Sequence, residues 1–310
     1  MTNAQKRTSP LSMSGRIKRQ LPLYAMLLPG FLFLIIFNYL PMFGTILAFK
    51  DFSYTKGILF SRWIGLKNFE VFFRTPDAWV ITRNTVLYNL VFIVLGLVVN
   101  VAVAVMLTEI TSKKISKVYQ TVMLMPHFLS WVIVAYLLYA FLSSDYGIVN
   151  VMLEKFGIKH ISWYSETKYW PYIIVLINRW KTTGYGSIVY LAAIAGISTE
   201  YYEAAVIDGA GKFKQMVYIT LPCLKPVMTI MTILAIGSIF SSDFGLFYQV
   251  PMNSGALYPV TNVISTYVYR ARGDVGISSA AGLYQGLVGF VLVVVTNKIV
   301  NKIDPENALY

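Results

Sequence analysis

Charge is scarce in this sequence. Only 13% of its 310 residues are Asp, Glu, Lys or Arg, about half of what a soluble domain carries. Acids are scarcer still, 14 against 26 Lys and Arg, which leaves a net charge of +12. No paired carboxylates with catalytic spacing and no Ser/His/Asp arrangement stand out, so bond-making chemistry is not expected. The single Cys223 excludes an internal disulfide and a cysteine-built metal cage. His127 and His160 are lone histidines without ligand spacing and read as structural or surface residues. A G-x-x-x-x-G-K-[ST] loop is also missing. Its nearest approach, Gly211-Lys212, is followed by Phe213 and has Val206 where the first glycine is required. That stretch cannot cradle a nucleotide phosphate. The basic residues are scattered over loops, which points to anionic lipid headgroups and away from nucleic acid.

What the chain has in quantity is apolar length. Hydrophobic residues make up 56% and aromatics 15%, with mean hydropathy +0.61. Runs near 20 residues recur, and each can cross a bilayer core of roughly 30 Å as a helix. The expected fold is therefore all-α, a polytopic membrane protein with six spans at about 21–49, 84–107, 118–142, 170–197, 223–248 and 280–300. Lys6, Arg7, Arg16, Lys18 and Arg19 precede the first span, and no acid appears before Asp51. This asymmetry predicts a basic cytoplasmic N-terminus over 1–20. Six spans then place residues 198–222 and the tail 303–310 in the cytoplasm as well. Segments 50–82 and 143–168 face outward, rich in interfacial aromatics ("RWIGLKNFEVFF", "ISWYSETKYW").

One stretch is too polar to span and too regular to be slack: "EAAVIDGAGKFKQMVYITLP", residues 203–222. Ser198 and Thr199 can cap a helix whose positive end suits Glu200 and Glu203. Tyr201, Ala204, Ala205 and Asp208 follow helical spacing, so small side chains share a face with an aromatic and an acid. Gly209 permits the left-handed turn that ends a helix. A second short helix is predicted over Lys212–Thr220, with Pro222 marking the entry to span five. The result is a helix–turn–helix on the cytoplasmic surface.

Glu203-Ala204-Ala205, three residues, Gly209, nine residues, then Ile219-x-Leu221-Pro222 is identified as the EAA loop of binding-protein-dependent ABC importer permeases. "IDGAG" resembles the carbohydrate-uptake class. "WIGLKNF", "DFGLFYQV" and "GLYQGLVGF" resemble its complex-polysaccharide (LplB-type) branch. The resemblance implies the type I ABC-importer permease fold over residues 21–302, in the bacterial cell membrane. It also implies ATP-driven uptake of oligosaccharides or polysaccharide fragments. The implied partners are a second permease, a pair of ATPase subunits carrying ATP and Mg, and an external sugar-binding protein. This chain would hold no cofactor of its own. The loop, with Glu203, Ala204, Ala205, Asp208, Gly209, Ile219, Leu221 and Pro222, would dock on the ATPase.

Span four contains "LINRWKTTGYG". Lys181 lies about 16 Å down the helix from Trp170, near the bilayer middle. Lipid exposure there costs roughly 2.5–3.5 kcal/mol, so the lysine is expected to face protein or water. Asn178, Lys181, Thr182 and Tyr185 form one polar stripe. Arg179 is about 200° round the helix from Lys181 and is expected to meet a partner subunit or a carbonyl. Resemblance to maltose-type relatives makes Asn178, Trp180, Lys181, Thr182 and Tyr185 substrate-facing candidates. In span five, Ser238, Ser241, Ser242 and Gly245 share a helical spacing that suits packing. Asp243, a carboxylate inside a span, is a candidate for sugar hydroxyls or for neutralising Arg179 or Lys181. Tyr185, Phe240 and Tyr248 suit stacking on pyranose rings. Asn262 and Ser265 stand where acids are expected in that branch. A gradient-driven secondary transporter or channel is the alternative reading, weakened by the few acids and the lack of an evident inverted repeat. A membrane sensor or scaffold would call for an extra cytoplasmic domain.

Overall fold

The computed structural model describes residues 13–303. Residues 1–12 of the expected basic N-terminus and 304–310 of the expected tail lie outside them. In chain order the main elements are α1 (Gln20–Phe49), strands β1 (Lys50–Asp51) and β2 (Arg62–Trp63), α2 (Lys67–Arg74), α3 (Pro76–Thr108), α4 (Lys113–Phe128) and α5 (Trp131–Leu142). There follow α6 (Ile148–Lys155), α7 (Trp170–Ala195), α8 (Thr199–Ile207), α9 (Lys212–Gly237), α10 (Phe244–Gln249), α11 (Ile264–Arg270) and α12 (Val275–Ile303). The strands pair antiparallel, Lys50 opposite Trp63 and Asp51 opposite Arg62.

Six spans were expected. Among the described residues, α1, α3, α9 and α12 are long and apolar enough to cross a bilayer, and the bent pair α4–α5 makes a fifth if it is one span. Helix α7 has the length, 26 residues, but Asn178, Arg179, Lys181 and two threonines occupy its middle and lower its hydropathy. Only 11% of the apolar stretch of α1 and 28% of that of α3 are buried. The greasy faces therefore point outward, as hydrocarbon requires, while polar groups turn inward.

Helix α7 is the central element, packed along α3 and against α4. Two clusters fix its ends. Trp170 and Ile174 meet Tyr88, Val134, Leu246 and Phe247 at one end, and Tyr190 and Ile194 meet Val101, Ala104 and Leu224 at the other. A third cluster joins Phe72, Ile81, Phe240, Ile264 and Ala281. Phe240 is thus a core residue packed edge-on to Tyr284 at 5.4 Å, and it is not free to stack on a sugar.

Three sequence expectations need correction. The third span is not one helix over 118–142, because α4 and α5 meet at 97°. Ser130 caps α5, accepting a bond from the Ile133 amide at 3.3 Å, and this restarts the chain in a new direction. The fifth span does not run to Tyr248. Helix α9 ends at Gly237, and Asp243 opens α10 by accepting from the amides of Gly245 (2.9 Å) and Leu246 (3.3 Å). Ser238, Ser241, Ser242 and Gly245 therefore do not share one helix face. Finally, the short helix expected over Lys212–Thr220 is not separate, since it continues into the span. A wide turn at Met216–Thr220 precedes Pro222. The ring of Pro222 removes the amide that would bond the Tyr218 carbonyl, and the widened turn absorbs the loss. The same device occurs in α1, where a wide turn at Ile35–Tyr39 precedes Pro41.

The 97° break leaves the carbonyls at the end of α4 without the amides that a continuing α-helix would bring four residues on. Lys181 meets them. Its ammonium donates to the carbonyls of Pro126 (3.2 Å), His127 (2.9 Å) and Leu129, and it lies 5.1 Å from the centre of the Trp131 ring. A cation suits the negative end of a helix, and three donors match three acceptors. Lys181→Met keeps the length and removes the donors. It is expected to destabilise the fold by about 1.5–3 kcal/mol, the worth of a hydrogen bond to a charged group, read as a lower unfolding midpoint in detergent. An unchanged midpoint would show that the break stands without this clamp.

Candidate functional site

The first candidate site is the α8 turn. Ser198 caps α8 by accepting from the Glu200 amide at 3.3 Å. The helix closes with Asp208 N–H to Ala204 (3.0 Å), Gly209 N–H to Val206 (3.0 Å) and Ala210 N–H to Ala205 (2.8 Å). Gly209 stands at φ +75°, a backbone that side chains with a Cβ resist. The Gln215 amide donates to the Ala210 carbonyl at 2.8 Å, and the Tyr202 hydroxyl meets Thr220 at 3.0 Å, so the turn is braced against the root of α9. Lys212 pairs with Glu109 at 3.2 Å, tying the turn to the end of α3. Glu203, Ala204, Asp208 and Gly209 are exposed, Ala205 is half-buried, and Ile207 is 86% exposed. Ile219 and Leu221 are half-buried at the root of α9, and Pro222 is exposed. Apolar surface on a short projection needs a cover, and the exposed Tyr201, Val206 and Phe213 extend it.

The second candidate site is the middle of α7, and there the expected stripe divides. Asn178 and Lys181 are buried. The Asn178 side-chain oxygen accepts from Arg179 Nε at 3.2 Å, and Lys181 holds the α4 break. Thr182 and Tyr185 line a cavity of about 510 Å³ bounded by α3, α7 and α9. Arg179, expected on another face, lines that cavity with them. Its long side chain reaches round the helix to lie 5.7 Å from the centre of the Phe92 ring, an excursion that residue spacing alone does not show. Trp180 is exposed and lies outside the cavity wall. Tyr185 stacks on His127 at 4.3 Å, which gives that histidine its structural place. Asn89, Asn100, Thr232 and Ser238 add to the polar lining. Sequence reading passed over Asn89 and Asn100, although a polar residue in the apolar run of α3 was the signal that could have found them.

A larger groove of about 940 Å³ runs along α3 and α7, with Leu87, Val91 and Leu176 on its walls and Arg179 at its edge. It offers a saccharide few hydrogen-bonding groups.

At the helix break beyond α9, Asp243 accepts from the Trp131 indole at 2.8 Å in addition to capping α10. Ser241 is exposed. Tyr248 stacks on Phe244 at 4.8 Å and leans on Tyr269 at 5.0 Å. Arg270 donates to Asn253 (3.0 Å) and Asn262 (2.6 Å) and covers the Tyr258 ring at 3.9 Å. Burial lowers its pKa from the ordinary arginine value. Ser265 meets Ser242 at 2.9 Å. Asn262 and Ser265 thus hold neighbouring segments together.

Comparison with known proteins agrees with this architecture. Residues 93–305 match the family of binding-protein-dependent transport system inner membrane components. The chain is 35% identical to protein LplB of Bacillus subtilis (strain 168), covering 98% of each chain. It is 34% identical to the polygalacturonan/rhamnogalacturonan transport system permease protein YteP of the same organism, covering 94% of this chain and 91% of that one. Among solved structures, it superposes with TM-score 0.85 and 34% identity on a chain of a bacterial ABC transporter involved in the import of the acidic polysaccharide alginate, covering 93% of this chain and 98% of that one. A crystal structure of bacterial alginate ABC transporter in complex with alginate pentasaccharide-bound periplasmic protein matches at TM-score 0.84 and 33% identity, covering 94% and 98%. The fold is that of an ABC importer permease, and the chain belongs to the family of binding-protein-dependent transport system inner membrane components.

Proposed function

We infer that this chain is one of two permease subunits in an ATP-driven importer of oligosaccharides or polysaccharide fragments. The observation that carries the reading is the exposed turn at Gly209 joined without interruption to α9, which ends at the wall of the α7 cavity. In this reading Glu203, Ala204, Ala205, Asp208 and Gly209 dock on a partner ATPase that holds ATP and Mg. Ile219, Leu221 and Pro222 root the lever in the membrane. An external binding protein delivers the sugar. Both termini and the α8 turn lie in the cytoplasm. Thr182 and Tyr185 face the substrate, with Tyr248 and the exposed Trp180 and Ser241 nearer the entrance. Asn178, Lys181 and Asp243 hold the shape of the pathway.

The saccharide class is supported by the functions of the relatives, and the coupling role by the motif and its exposure. Glu203→Lys reverses charge at the docking face and is expected to abolish uptake while the chain still inserts and assembles. Wild-type uptake in that variant would count heavily against the coupling role. Gly209→Val forces a β-branched residue into a left-handed turn at a cost of about 1–2 kcal/mol. It is expected to lower transport-linked ATP hydrolysis with substrate binding unchanged, measured in reconstituted importer. Purified alone, the chain should hydrolyse no ATP and carry no gradient-driven flux in liposomes. Flux from the lone chain would revive the secondary-transporter alternative.

A further inference from the structure

The two cations in the middle of α7 have different surroundings. Lys181 is committed to the carbonyls at the end of α4. Arg179 has only the Asn178 side-chain oxygen, to which both Nε and Nη2 donate, and the face of Phe92. Among the described residues, no Asp or Glu lines either cavity that Arg179 borders, and none pairs with it. A guanidinium at membrane depth without a counter-ion is costly, and an anionic ligand relieves that cost.

The same cavity has a second unmet group. The Asn100 side-chain oxygen is buried and accepts no hydrogen bond. Each group sits in a notch made by a glycine on the opposite helix. A Cβ on Gly96 would lie 2.7 Å from Arg179 Nη1, and a Cβ on Gly186 would collide with the Asn100 amide. Gly96 and Asn100 are one turn apart on α3, about 6 Å at 1.5 Å per residue. The site thus presents a cation that needs an anion and, one turn away, an acceptor that needs a hydroxyl. A neutral sugar satisfies only the second. A uronate residue, with a ring carboxylate and ring hydroxyls, satisfies both, and Arg matches a carboxylate bidentately.

The geometry points to Arg179 as a specificity-determining residue that binds the carboxylate of an acidic saccharide, with Asn100 accepting from a hydroxyl of the same ligand. This deepens the importer reading and rests on it.

The test uses importer assembled around the full chain in lipid nanodiscs, without the binding protein, so that selection by that protein cannot mask the result. Phenylglyoxal, which adds to accessible arginine, is applied with saturating galacturonate pentamer, with its fully methyl-esterified uncharged form, or with neither. The adduct on the peptide carrying Arg179 is then quantified by mass spectrometry. The acid pentamer should protect Arg179 and the ester should not. Equal protection by both, or by neither, overturns the assignment. In proteoliposomes with the binding protein, Arg179→Gln should lower uptake of the acid pentamer roughly 10- to 100-fold, as loss of a charged hydrogen bond implies. Gly96→Ala, which displaces the guanidinium, should lower it in the same direction. Arg179→Gln importer that takes up the acid pentamer at the wild-type rate sinks the proposal and leaves the importer reading intact. Wild-type importer that takes up no oligosaccharide of any charge sinks the importer reading itself.

Discussion

Within hydrocarbon no water is available to meet a carbonyl that a broken helix leaves open, so each break must bring its own donor. This chain breaks its helices often, and its polar side chains are placed accordingly. Lys181 serves the end of α4. Nearer the surface, Lys50 donates to the carbonyls of Ile58 and Leu59 at 2.8 Å each. Asn84 reaches Pro259 and Asn262, and Tyr88 reaches Val260 at 2.8 Å. Asn150 binds both the amide and the carbonyl of Ile161. Irregular backbone is tolerated here because side chains from regular elements, helices for Asn84, Tyr88, Asn150 and Lys181 and a strand for Lys50, fasten it.

That rule separates structural polarity from functional polarity. Two basic residues two positions apart in α7 look equivalent as text. Counting acceptors distinguishes them: Lys181 is saturated by main chain, whereas Arg179 has one amide oxygen, an aromatic face and a cavity. Asp243 is likewise occupied, by the Trp131 indole and two amides of α10. A charged residue in a span marks a site only after its main-chain obligations have been met.

Much of the architecture was legible in the residues. Apolar run length located the long helices, and the EAA spacing located the turn, because Gly209 and the flanking caps act locally. The 97° bend was harder. Ser130 is a fair helix cap, yet Lys181, which completes the break, lies far away in sequence, and hydropathy averages across both halves. The end of α9 was lost for the same reason: Ile239 and Phe240 carry the apolar run past Gly237, and only the capping role of Asp243 reveals a new helix. The position of Arg179 was misjudged because helical spacing tracks Cα positions, whereas a long side chain can wrap a neighbouring helix wherever a glycine leaves room.

Helix α9 joins two places that differ in every other respect. One end carries the Gly209 turn, and the other contributes Thr232, Ala235 and Ser238 to the cavity wall. At 1.5 Å per residue its 26 residues form a rod of about 39 Å, so pivoting it by about 10° at mid-length sweeps each tip through roughly 3 Å. A displacement of a few ångströms at the Gly209 turn would therefore tilt the rod that forms one wall of the cavity, through a helix whose ladder widens just before Pro222.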